Sequence, residues 1–99
     1  MLLRSMRLSE KQTKLLETYF KALANKKRIA ILALIEEEAN LTVFEIAERL
    51  GLHYQTAAVH AQRLEKAGLI QKKYRGTHVV HHITKRGKDF LSFTSKILR

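Results

Sequence analysis

Residues 41–69 read LTVFEIAERLGLHYQTAAVHAQRLEKAGL, and the fold is decided there. Thr42 opens a capping box with Glu45 three residues on, so that each side chain can satisfy an orphan backbone N–H near the other. Val43, Ile46, Ala47 and Leu50 then recur at helical spacing and form one apolar face. Gly51 stops this helix, since a residue without Cβ can take the left-handed conformation of a tight inter-helix turn. A second periodic run carries Ala57, Ala61, Leu64 and Ala67 on one side, and Gly68 closes it. Small Ala47 lets the two helices cross closely, and Leu52 plugs the gap between them. The spacing predicts a helix-turn-helix over about 42–67, with its second helix at about 54–67.

Upstream, Asn25 can cap a helix running to about Glu38 through Ile29, Ile31, Leu32, Leu34 and Ile35. Its apolar residues cover more than one face, as expected of a central helix buried from several sides. Before it, Ser9 and Gln12 form another capping box, opening a helix to about Leu23. Leu15, Leu16, Tyr19, Phe20 and Leu23 make a wide stripe there, fit either for the chain's own core or for a second subunit. Met1–Leu8 is apolar but short, and is expected to pack on a neighbour or fray. Glu36–Glu38 ends the central helix where the dipole disfavours acids, and reads as a solvated patch that keeps that side off a polyanion.

Downstream of Gly68, Leu69–Tyr74 and His78–Thr84 are rich in β-branched and aromatic residues, with Arg75-Gly76-Thr77 as the turn between them. Lys72, Lys73 and Arg75 cluster towards the tip of this hairpin. Thr84-Lys85-Arg86-Gly87-Lys88 leads into a last helix over about 88–98, with Phe90, Leu91 and Ile97, joined by Phe93 and Thr94, on its apolar face. The expected architecture is mainly α, an α+β fold of four helices, a β-hairpin and a fifth helix, all in one domain over 1–99.

Charge narrows the partner. The chain carries 19 Lys and Arg against 9 Asp and Glu, for a net charge of +10. Residues 1–25 contribute +3, 26–51 contribute −1 and 52–99 contribute +8, so the excess gathers from the second helix onward. A polyanion is the simplest partner, and nucleic acid fits better than an acidic membrane because the basic stretch is not one amphipathic helix. The absence of cysteine excludes disulfides, thiolate metal sites and cysteine nucleophiles. No apolar run approaches the roughly 20 residues of a membrane span, and MLLRSMRLSE is too charged for a secretory signal. A cytoplasmic address is expected.

These residues, in this order, resemble the winged helix-turn-helix transcriptional regulators, and most closely the ArsR-like family, from about Phe20 to Ile83. KALANKKRIAILALI is similar to that family's L-A-x-x-x-R-x-x-I-L-x-x-L segment, with Arg28 at the arginine. LTVFEIAERLGLHYQTAAVHAQRLEKAGLI resembles its helix-turn-helix and first strand, and RGTHVVHHI its wing. ITKRGKDFLSF is closer to the Thr-x-x-Gly start of the last helix in MarR-like and PadR-like relatives. The departures are specific. Thr42, Val43 and Phe44 stand where metal-sensing members carry Cys-Val-Cys, and the last helix has Asp89 but no histidine. His53 replaces a serine at the second helix's N-cap, where it is a poorer cap. Ala61 replaces a leucine beneath that helix and leaves room for a bulkier neighbour.

With Ala57, Ala61 and Leu64 inward, Tyr54, Gln55, Ala58, Val59 and Gln62 face outward as candidate base readers. A Gln amide can pair bidentately with adenine, and Ala58 or Val59 can meet a thymine methyl. His53, Thr56, His60 and Arg63 at the helix edges, with Lys72, Lys73, Arg75 and Thr77 on the wing, are candidate phosphate contacts. Leu15, Leu16, Tyr19, Phe20, Phe90, Leu91 and Ile97 are the candidate dimerisation residues. Alternation puts His78 and His82 on one strand face with Val80, and His81 on the other with Val79 and Ile83. Neither these nor His53 and His60 complete a tetrahedral metal site within one chain, though a site shared between subunits stays open. No cofactor is expected. Nothing converges into catalytic machinery either, so the chain is read as a non-enzyme. The sequence thus points to a dimeric, sequence-specific double-stranded DNA-binding regulator, a repressor. The alternative is a winged-helix interaction module that docks a protein complex or RNA and attaches to nucleic acid non-specifically.

Overall fold

Four of the five described helices begin where a short polar side chain reaches forward to an orphan N–H. In the computed structural model, which describes residues 7–99, Ser9 and Gln12 form their capping box and α1 runs Glu10–Leu23. Asn25 Oδ1 accepts from the amides of Lys27 and Arg28, starting α2 at Lys26–Glu37. The Thr42–Glu45 box opens α3, Val43–Leu50, which Gly51 ends at φ 65°. The recognition-type helix α4 spans Tyr54–Lys66. The hairpin strands β1, Ile70–Arg75, and β2, His78–Ile83, follow, and α5, Lys85–Ile97, closes the order. The expected start Met1–Leu8 lies outside the described residues apart from Arg7 and Leu8.

The core gathers around α2. Ile31, Leu32 and Ile35 meet Ile46 and Ala47 of α3, Ala57, Ala61 and Leu64 of α4, and Leu69 and Ile70 at the entry to the hairpin. All are buried, and α2 touches every other helix and β2. The unpatterned apolar sequence of α2 is therefore that of a central helix.

The hairpin pairs antiparallel from Ile70↔Ile83 to Arg75↔His78, leaving Gly76 and Thr77 as a two-residue loop. Gly76 has φ 60° and Thr77 does not share that sign, so only the first central residue is left-handed, as in a II′ turn. Arg75, expected in the turn, belongs to the ladder. On the outer edge of β2, Leu41 forms a further antiparallel bridge with His81. The Leu41 carbonyl accepts both the His81 amide at 3.0 Å and Nδ1 at 2.9 Å. A carbonyl only accepts, so Nδ1 bears the proton. Nε2 is buried without a partner. His81 is thus a packing histidine at the base of the wing.

The last helix begins a turn earlier than the expected 88–98, at the Thr84 and Gly87 that resemble a Thr-x-x-Gly helix start. Thr84, not a residue near Lys88, is the N-cap, and its hydroxyl accepts from Gly87 N–H at 3.1 Å. Gly87 sits inside the helix because a Cβ there would overlap Leu69 O and lie 2.7 Å from Ile83 Cγ1. Gly87 is thus a close-approach residue.

Candidate nucleic-acid interface

The sequence of α4 divides its surface into two faces. Ala57, Ala61 and Leu64 are buried against the core, while Tyr54 and Val59 are 59% and 51% exposed. Gln55 and Gln62 are exposed beside them, and Ala58 is half-buried. Half of Val59 is left uncovered by the described residues. At the start of α4, His53 makes no side-chain cap bond, unlike the residues that cap the other four helices. Its first amides are left for an outside acceptor, and a phosphate at a helix N-terminus meets that need.

Beside α4 stands the wing. Lys73, Arg75 and Thr77 are exposed. Lys72 is exposed too, but it is engaged by Glu65 at 3.3 Å. Lys73 and Arg75 have no ion pair among the described residues. Between wing and α4 the room left by Ala61 persists as an open hollow of about 350 Å³, whose lining includes Ala58, Ala61, Gln62, Lys72 and Val79.

His60 is placed differently from the expected phosphate edge. It is half-buried, and its Nδ1 lies 3.1 Å from Nη1 of Arg28. A guanidinium only donates, so Nδ1 accepts and the ring is neutral. Arg28 is itself 8% exposed and also donates through Nε to Ala22 O at 2.6 Å and through Nη2 to Lys21 O at 3.3 Å. Sequence reasoning marked Arg28 through the family resemblance alone and missed this network, which joins α1, α2 and α4. Desolvation holds the His60 pKa below the usual histidine value, with Arg28, Lys27 and Arg63 adding repulsion. A depressed folded pKa means stability that is complete above about pH 6.5 and declines as pH falls through the folded value. We expect unfolding midpoints in urea to drop between pH 7.5 and 5, and less steeply in His60→Gln. Equal slopes would remove His60 from the titration. His82 contributes in the same sense, its pKa lowered by desolvation and then by Lys73, Arg75 and His81.

Among the described residues no group of three His, Cys, Asp or Glu side chains could hold a metal ion. Glu38, read as part of a solvated patch, instead takes Arg49 Nε on both carboxylate oxygens at 3.2 Å. The dimerisation candidates lie along α1 and α5. Phe20 and Ile97 are 49% and 61% exposed and Leu15 is exposed as well, while Leu16, Tyr19, Phe90 and Leu91 are half-buried. Phe90 meets Tyr19 and Phe20 edge-to-face at 6.0 and 5.7 Å.

Residues 25–71 match the family model for winged helix-turn-helix DNA-binding. The chain has the winged helix-turn-helix fold. This family is not an enzymatic one, in keeping with the reading of the sequence. Among solved structures, the chain is similar to the homodimeric winged helix-turn-helix domain Mb0332 of Mycobacterium bovis, described as a possible ArsR-family transcriptional regulator. The two share 28% identity over 92% of this chain and 86% of that one, with a TM-score of 0.73. NolR of Sinorhizobium fredii aligns at 21% identity over 91% and 93% of the two chains, TM-score 0.80. Reduced HlyU of Vibrio cholerae aligns at 24% over 96% and 97%, TM-score 0.79. These last two share the fold. No curated protein matches the chain. No helix among the described residues is long and apolar enough to cross a membrane.

Proposed function

We propose that this winged helix-turn-helix protein is a sequence-specific double-stranded DNA-binding transcriptional regulator, acting as a homodimeric repressor in the cytoplasm. The observation that carries the reading is the outward face of α4, where exposed Gln55, Gln62, Tyr54 and Val59 adjoin a wing whose Lys73 and Arg75 have no ion pair among the described residues. Gln55 and Gln62 read base edges in the major groove, with Ala58 and Val59 against thymine methyls. His53, Thr56, Arg63, Lys72, Lys73, Arg75 and Thr77 hold phosphates. Dimerisation through Leu15, Leu16, Tyr19, Phe20, Phe90, Leu91 and Ile97 covers the apolar seam of α1 and α5, and the homodimeric state of the M. bovis domain supports it. Two copies carry about +20, twice the chain's +10, and bind with steep salt dependence.

Selection from random duplexes at about 150 mM salt, where non-specific attachment is weakened, tests this directly. An enriched inverted repeat with half-sites about one helical turn apart is expected. Binding without enrichment would favour an interaction module that uses its basic face only for attachment. On the enriched site, Gln62→Ala should cost about 1–3 kcal/mol at one base position with the salt slope nearly unchanged. An equal loss on random DNA would take base reading away from Gln62.

A further inference from the structure

The first turn of α5 is fastened to the point where α4 hands over to the wing. Thr84 Oγ1 donates to Gly68 O at 2.7 Å, and Thr84 N–H donates to Leu69 O at 3.1 Å. Gly87 permits the close contact with Leu69 O described above. Arg86 adds a longer link. Its guanidinium carbon lies 4.6 Å from the centroid of the Tyr19 ring on α1. Its Nη1 fills the space where a Cβ on Gly68 would stand, and Gly68 has φ +74°. Among the described residues Arg86 has no carboxylate partner, although Asp89 is near enough to line the same cleft. That cleft, about 390 Å³, is walled by Leu16, Phe20, Phe90 and Phe93 between α1 and α5.

We propose that Arg86 is a positioning residue for DNA reading: stacked on Tyr19 and pressed over Gly68, it ties the packing of α1 against α5 to the angle between the recognition helix and the wing. This inference rests on the reading of the chain as a DNA-binding regulator. The stacking energy of a cation on a phenol ring holds the guanidinium in place. Its planar reach lets one side chain touch both α1 and the α4–β1 junction, which a lysine ammonium does not reproduce. Only Gly68 and Leu69 lie between the C-cap of α4 at Ala67 and β1 at Ile70, so a change of angle there moves Lys73 and Arg75 relative to Gln55 and Gln62. Base contacts depend on that register, whereas phosphate contacts tolerate its drift. Whatever covers the cleft, including a second subunit, must touch Arg86 and through it the reading surface.

The test uses the whole chain with Arg86→Ala and Arg86→Lys. Each is measured on a selected duplex and on a random one across a salt series, alongside backbone amide NMR shifts. The expected result is about a tenfold loss on the selected duplex for both variants. Affinity for random DNA and the salt slope should stay as in the parent, and amide shifts should change at Gly68, Leu69 and along β1. Equal loss on both duplexes with a slope lower by about one would make Arg86 a phosphate contact and overturn the proposal. Unchanged binding with unmoved Gly68 and Leu69 amides would overturn it too. If the parent itself shows no preference between duplexes, the regulator reading falls, and the amide shifts still decide whether Arg86 holds the junction. Arg86→Lys, which keeps the charge and stem, stands in if the alanine variant does not fold.

Discussion

Arg28→Ala should lower the unfolding free energy by about 3 kcal/mol, the most damaging single change we expect outside the apolar core. The reasoning starts at the end of α1. Its last carbonyls have no intrahelical partner, and two of them, Lys21 O and Ala22 O, are taken by the Arg28 guanidinium. The same fork reaches His60 on α4, so one side chain joins three helices. Removing it leaves two part-buried carbonyls and a ring nitrogen unpaired, and bonds to a charged donor are worth about 1.5–3 kcal/mol each. Among the described residues the cation has no carboxylate beside it, and burial with the nearby charge of Arg63 lowers its pKa from the usual arginine value. Its charge is offset by neutral acceptors alone, which is why a neutral His60 matters. Arg28→Lys should not rescue, because an ammonium cannot span the three acceptors in one plane. Urea unfolding at pH 7.5 measures this. A loss below about 1 kcal/mol, or full rescue by lysine, would show that the fork does not hold these helices together.

Local signals in the sequence carried most of the fold. The Ser9–Gln12 and Thr42–Glu45 boxes, the Asn25 cap and the Gly51 stop each act within four residues, and each is found where its chemistry predicts. The Gly76 turn is legible for the same reason, since a glycine separates the basic run Lys72–Arg75 from the β-branched Val79 and Val80. What was hidden depends on partners far along the chain. Arg28 and His60 are 32 residues apart, and His81 bonds Leu41 across 40. No periodicity foretells either contact. Gly87 belongs to α5, ahead of the expected start near Lys88, because the approach of Leu69 O from another element suits a residue without Cβ. At the interface, the division of α4 into inward and outward faces followed from spacing alone. Which edge residue turns inward did not, because that choice is made by a donor on α2.

The double variant Lys73→Gln/Arg75→Gln should produce the largest loss of DNA binding short of unfolding. Both side chains are exposed on β1, and neither has an ion pair among the described residues, so each can meet a phosphate at little desolvation cost. Each phosphate neutralised contributes about 0.9 to the slope of log affinity against log salt. The double variant should therefore flatten the slope by about 1.8 on any duplex and weaken selected and random DNA by the same factor. Lys72→Gln is the informative contrast. Lys72 is already held by Glu65 at 3.3 Å, and a phosphate would have to draw it away. Its loss should change the slope by less than one, and Glu65→Gln, which frees it, should raise affinity for both kinds of DNA. Titrations between 50 and 300 mM salt separate these outcomes. Should the double variant keep the parent's slope, the wing does not touch the backbone. DNA would then be held by α4 and its uncapped N-terminus alone.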